Sequence, residues 1–138
     1  MKQILFFLTF LFTLSAEQES ITQYNSLRVI TNPEKSSIVF IPKEFIPESA
    51  KLKNFIENDI IASEAILVIE TNEKSSSIIP FLEKQFKNLD WRIFRKDINQ
   101  SNSVFQVENS SKRILSILIL EEKNFTKIKY FFKRQSRL

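Results

Sequence analysis

The chain has 138 residues, with 20 Lys and Arg against 16 Asp and Glu, and it contains no Cys, no His and no Gly. Lacking Cys and His, it excludes disulfides, Ser–His–Asp and Cys–His nucleophile systems, the commonest general acid–base residue and nearly all zinc, copper and haem sites. Lacking Gly, it has neither a P-loop nor a dinucleotide-binding turn, and turns that need positive φ must draw on Asn or Asp. No catalytic residue, metal ligand or cofactor is therefore expected.

Residues 1–16 read as a secretory signal peptide. Met1-Lys2 gives a positive start, residues 4–14 (ILFFLTFLFTL) form an apolar run, and Ser15-Ala16 supply small residues before the polar EQES. That order is the one a signal peptide has. The run falls short of the roughly 20 apolar residues that span a bilayer. The longest later run, 114–120, reads as a strand, so no transmembrane span is expected after cleavage at Ala16 or Ser15. No Cys follows the cleavage site to carry a lipid anchor. The expected location is the periplasm or the cell exterior.

Residues 17–25 (EQESITQYN) show no period and read as a disordered lead-in. Two β-branched runs, 26–31 (SLRVIT) and 37–41 (SIVFI), flank Asn32-Pro33-Glu34-Lys35, a turn signal that predicts a hairpin. Residues 27–41 resemble the opening hairpin of PEGA-type surface modules without their glycines. Pro42 and Pro47 then bracket an irregular link, which makes 26–46 a hairpin plus linker ahead of the main domain at 47–133.

Within that domain, 50–56 (AKLKNFI) reads as an edge strand with a short helix as the competing reading, and Asn58-Asp59 as a turn. Residues 65–69 (AILVI) are continuously apolar, as in a central strand covered on both faces. The clearest helix follows Ser75-Ser76-Ser77. Ile78, Ile79, Phe81, Leu82, Phe86 and Leu89 share one side at 3.6 residues per turn. Pro80 is acceptable only in the first turn, which puts the N-cap at Ser76 or Ser77. Four strands at 91–98, 104–108, 113–120 and 126–132 follow, each closed by a short polar turn, so they run antiparallel. Residues 134–138 read as a frayed basic tail.

The fold class is thus α+β: one antiparallel sheet of about six strands with a single amphipathic helix packed on one face, preceded by an N-terminal hairpin. Leu67, Ile69, Leu82, Phe86, Trp91, Ile117, Ile119, Ile128 and Tyr130 are the expected core. From Pro47 onward the pattern IPESAKL, AILVIET, FLEKQFKNLDW, SVFQVEN, RILSILI, TKIKYFF resembles a widespread class of small exported bacterial α+β domains. Leu82 stands where a Tyr is usual and Asp90 where a Gly precedes the Trp. The resemblance implies an envelope protein of no established activity and carries no functional residues.

The remaining chemistry rests on carboxylates, hydroxyls and lysines. Glu57, Asp59 and Glu64 are close enough in sequence to suggest a glycosidase-like pair, which makes a carboxylate-dependent hydrolase of envelope glycan the alternative reading. Decoration of a loop is the commoner use of such acids. Ser75-Ser76-Ser77 suits an N-cap or an anion site at the helix start, and Trp91 a core position or a stacking platform.

The basic end is the more pointed signal. After Glu122 there are six basic side chains and no acid. Cleavage removes one lysine and no acid from the whole, so the net charge of +4 falls by one. Strand alternation puts Phe131 on the face of Lys127, Lys129 and Lys133, opposite Ile128, Tyr130 and Phe132. These residues, with Arg134 and Arg137, form the candidate interaction surface. The expected partner is a protein or an anionic envelope component, not nucleic acid, because the chain is read as exported. Three Asn-x-Ser/Thr triplets, at Asn99, Asn109 and Asn124, are expected at turns on one side of the sheet, as chance produces in an Asn- and Ser-rich chain. The molecule expected is an exported, non-catalytic envelope module.

Overall fold

A computed structural model describes residues 18–58 and 64–134; the signal-peptide segment, Asp59 and Arg137 lie outside the described residues. The elements are β1 (Ser20–Tyr24), β2 (Leu27–Thr31), β3 (Lys51–Asn58), β4 (Glu64–Thr71), α1 (Ser75–Asn88), β5 (Arg92–Ile98), β6 (Asn102–Glu108), β7 (Arg113–Glu121) and β8 (Thr126–Arg134). Single 3-10 turns lie at Lys35–Ser37 and Lys43–Phe45. All strands form one antiparallel sheet in the order β1-β2-β3-β4-β8-β7-β6-β5. The chain meanders from one edge to β4 and crosses by way of α1 to the far edge. It then meanders back until β8 pairs with β4.

Among the described residues the α+β class, the antiparallel sheet and the single α-helix are as expected, but the sheet has eight strands instead of about six. The N-terminal hairpin does not precede the sheet; it is part of it. It is formed by residues 20–31, not 26–41. Asn25, at φ 51°, closes the two-residue turn between Tyr24 and Leu27, a conformation Asn tolerates where Gly is absent. Ser20–Tyr24 therefore belongs to a strand, not to a disordered lead-in. Every residue of β1 is exposed, so it carries no apolar signal; its order comes from the ladder with β2.

Residues 37–41 form no strand. Asn32 (φ 50°) donates its N–H to the Lys53 carbonyl at 2.8 Å and turns the chain away. The following Pro33 has no N–H to extend the ladder. The segment expected as a linker is instead a cover for the core: Ile38, Ile41, Phe45 and Ile46 are buried together with Ile30 and Phe55. Residues 26–46 and 47–133 thus share one core, because Ile30 of β2 lies opposite Phe55 of β3. At the other end, Arg134 is paired with Arg113 as the last residue of β8, not part of a frayed tail.

All nine expected core residues are buried. α1 packs over the inner face of the sheet against β5, β7 and the Lys43–Phe45 turn. Phe45 meets Phe86 and Trp91 edge-on, with ring centroids 5.1 and 5.5 Å apart, and Phe86 meets Phe105 at 5.4 Å. Tyr130 donates its hydroxyl to the Phe45 carbonyl at 2.6 Å, in the buried core. That bond ties the irregular cover to the central strand.

The helix starts earlier than its serines suggest. Its N-cap is Lys74, with no side-chain cap, and Ser75 is the first helical residue. The Ser75 N–H donates instead to Glu121 Oε1 at 3.1 Å. Pro80 lies beyond the first turn, so the Ser76 carbonyl loses the bond that the residue four positions on would have donated. At the other end, Asp90 takes φ 59°, Trp91 N–H donates to Phe86 O at 2.8 Å, and Asp90 N–H to Lys87 O at 3.4 Å. This is a Schellman motif built without glycine.

Candidate functional site

Two-residue alternation divides each strand between the helix-covered face and an opposite, open face. On β8, Ile128, Tyr130 and Phe132 are buried, Lys127 and Lys129 half-buried, and Phe131 and Lys133 exposed. The structure therefore brings together four of the six expected surface residues, Lys127, Lys129, Phe131 and Lys133, along a central strand of the open face.

Their neighbours follow from the register. Phe131 lies between Ile66 of β4 and Ser116 of β7, and Ile66 is followed by Ile56 and Val29 across β3 and β2. Lys129 lies between Val68 and Leu118, with Val104 beyond on β6. Lys127 stands beside Leu120, and Lys133 beside Ile114. The open face therefore carries an aliphatic patch over its middle strands, flanked by polar positions such as Thr22 on β1 and Gln106 and Glu108 on β6. Eight strands at about 4.8 Å, with about 3.3 Å per residue, make the face roughly 34 Å wide and about 25 Å long.

Residues 65–69 read as a strand covered on both faces. Ala65, Leu67 and Ile69 are covered, but Ile66 and Val68 are only half-buried on the open face. The expectation fails because nothing among the described residues packs over that face.

Charge on this face is uneven. Glu70 pairs with Lys53 at 3.7 Å, and Glu108 with Arg92; Asp97 pairs with Arg95 at 2.9 Å. Lys127, Lys129 and Lys133 make no ion pair among the described residues. Lys127 and Lys133 lie across the ladder from Glu70 and Glu64, whereas Lys129 has Val68 and Leu118 as its neighbours. Leu27, Ile56, Ile66, Phe131 and Lys133 also line an apolar cleft of about 230 Å³ at one end of the face.

Of the three acids singled out, Asp59 lies outside the described residues, and Glu57 and Glu64 both line that cleft but from opposite faces of the sheet. Glu57 lies on the helix side of the sheet, where it accepts a hydrogen bond from Arg28 at 3.1 Å. Glu64 lies one register position on, on the open face. The helix N-terminus already holds the Glu121 carboxylate, so the three serines present no vacant anion site. Trp91 is core. Among the described residues no cluster of His, Cys, Asp or Glu is arranged to hold a metal ion, and no helix is long and apolar enough to cross a membrane.

The three sequons do not share one side. The turns at Asn99 and Asn124 lie at one end of the antiparallel meander and that at Asn109 at the other. The Asn109 carboxamide oxygen accepts hydrogen bonds from the Ser111 and Arg113 N–H groups, so its side chain builds the turn.

No family model, curated protein or solved structure matches the chain.

The aliphatic patch around the basic and aromatic column of β8 is not legible in the sequence. Ile56, Val104 and Leu118 each sit in a run whose facing is undefined until strand partners are known. The one available signal was the unbroken apolar run at 65–69.

Proposed function

We propose that this chain is an exported, non-catalytic envelope module that works by binding through the open face of its sheet. The observation that carries the reading is an uncovered sheet face whose aliphatic middle holds Lys127, Lys129 and Lys133, none of them in an ion pair among the described residues. The signal-peptide pattern of residues 1–16 and the resemblance to small exported domains support the location. The lack of both His and Cys supports the non-catalytic part of the reading.

Binding is tested by sedimenting the mature protein with isolated cell envelopes. Wild type and Lys84→Glu, changed on the exposed side of α1, should sediment together, whereas Val68→Glu should remain in solution while staying folded. Equal sedimentation of all three contradicts a role for the open face. Turnover in a hydrolase screen, lost on replacing one carboxylate, would put glycan hydrolysis in its place. Export is tested by fusing residues 1–16 to a reporter active only outside the cytoplasm. Signal is expected, with loss in a Leu5→Arg, Leu8→Arg pair; an intact Met1 on the purified native protein contradicts cleavage.

A further inference from the structure

We infer that the occupant of the open face is an anionic lipid leaflet, against which the sheet lies flat. This deepens the binding role proposed above and rests on it. Three observations favour lipid over a protein partner.

The first is charge complementarity. Among the described residues, Lys127, Lys129 and Lys133 make no ion pair, while the arginines Arg92 and Arg95 are taken by Glu108 and Asp97; Glu64, across from Lys133, is an acid of the face that also makes none, so the unpaired charge is net positive. Protein interfaces enrich Arg and deplete Lys. A lysine ammonium is a compact, hydrated point charge of the kind that draws segments to anionic headgroups.

The second is placement. Lys127 and Lys129 are half-buried with their stems among Val68, Leu118 and Leu120. Such stems can lie along apolar surface while the charged end reaches the headgroup layer. Phe131, 39% exposed, stands between Lys129 and Lys133 as the ring available for insertion.

The third is shape. The cleft is lined mainly by apolar side chains, Leu27, Ile56, Ile66 and Phe131 among them, with Lys133, Glu57 and Glu64 as its charged lining residues. Its apolar part suits an acyl segment, and Lys129 and Lys133 on either side of Phe131 the anionic headgroups around it.

The test is flotation of the mature protein with vesicles of phosphatidylcholine alone and of phosphatidylcholine with phosphatidylglycerol. Binding is expected to the phosphatidylglycerol vesicles only, and to weaken steeply with rising salt, because exposed charges are screened over about 10 Å at moderate ionic strength. Each lysine replaced by Gln should weaken binding about fivefold, and the triple variant on the order of a hundredfold. Phe131→Ala should weaken it about tenfold. All are exposed or half-buried on the open face, and unchanged far-UV circular dichroism and thermal midpoint will separate lost binding from lost fold. No binding at low salt, or equal binding to both vesicles, overturns the lipid inference. Envelope sedimentation that survives while flotation fails also overturns it, and leaves the binding role with a protein as occupant. Loss of both overturns the two readings together.

Discussion

Asp90 occupies the position where most helices of this kind end in glycine. Its φ of 59° is left-handed, a region that costs an L-residue with a side chain about 1–2 kcal/mol, less for Asp and Asn. Its carboxylate also lies at the negative end of the helix dipole. Asp90→Gly should therefore raise stability by about 0.5–1 kcal/mol in urea unfolding; no gain would mean the Asp side chain is held by contacts of its own. Tyr130 presents the opposite case. Burial pushes its phenol far above the ordinary range, so it stays a neutral donor to the Phe45 carbonyl. Tyr130→Phe leaves that carbonyl buried without its donor and should cost about 1–3 kcal/mol. Of the five positive-φ positions among the described residues, Asn25, Asn32 and Asp90 are the types a glycine-free chain is expected to use. Phe40 (φ 72°) and Lys112 (φ 59°) are not. Phe40 is held by stacking on Phe132 at 5.2 Å, a contact between residues far apart in sequence that no local pattern announces.

Among the elements, α1 was legible because its apolar period is strong, and Ile78, Leu82 and Phe86 are its buried residues. Phe86 is in contact with both Phe45 and Phe105, so Phe86→Ala should cost about 3–5 kcal/mol. A cost below about 1 kcal/mol would put it on the surface. The helix start was misplaced because its cap comes from Glu121, 46 positions away. β5 to β8 were legible from alternation and polar turns. β1 was not: it is held by its ladder and by Glu19, whose carboxylate accepts hydrogen bonds from the Glu34 N–H at 2.8 Å and the Ser37 hydroxyl at 2.7 Å. First the Glu34 bond and then that of Ser37 hold the Glu19 carboxyl below its ordinary range. A carboxyl lowered in the folded state stabilises fully above its unfolded value and loses that contribution as pH falls through the folded one. Amide protection in β1 should therefore drop through the acid range in wild type. In Glu19→Ala it should be low and flat with pH, and an equal drop in both would remove Glu19 as the cause.

At the scale of the molecule, the described residues cover the sheet on one face only. α1 covers the half built around β5 to β7, and the irregular segment between β2 and β3 completes the cover, joined to β8 through Tyr130 and Phe45. That segment has no period of its own, so the sequence suggested a linker where the fold has half of its lid. The basic column on β8 was legible because alternation within one strand needs no partner. The aliphatic field around it required knowing that β8 inserts between β4 and β7. The central claim is that this uncovered face is the working surface. The chain has no cysteine, so a single introduced thiol reports on one place. Phe131→Cys puts it at the centre of the open face, and Lys84→Cys on the solvent side of α1. Each is reacted with a water-soluble maleimide, alone and with isolated envelopes. The account predicts that envelopes protect position 131 and leave position 84 unchanged; equal reactivity at 131 with and without envelopes would contradict it.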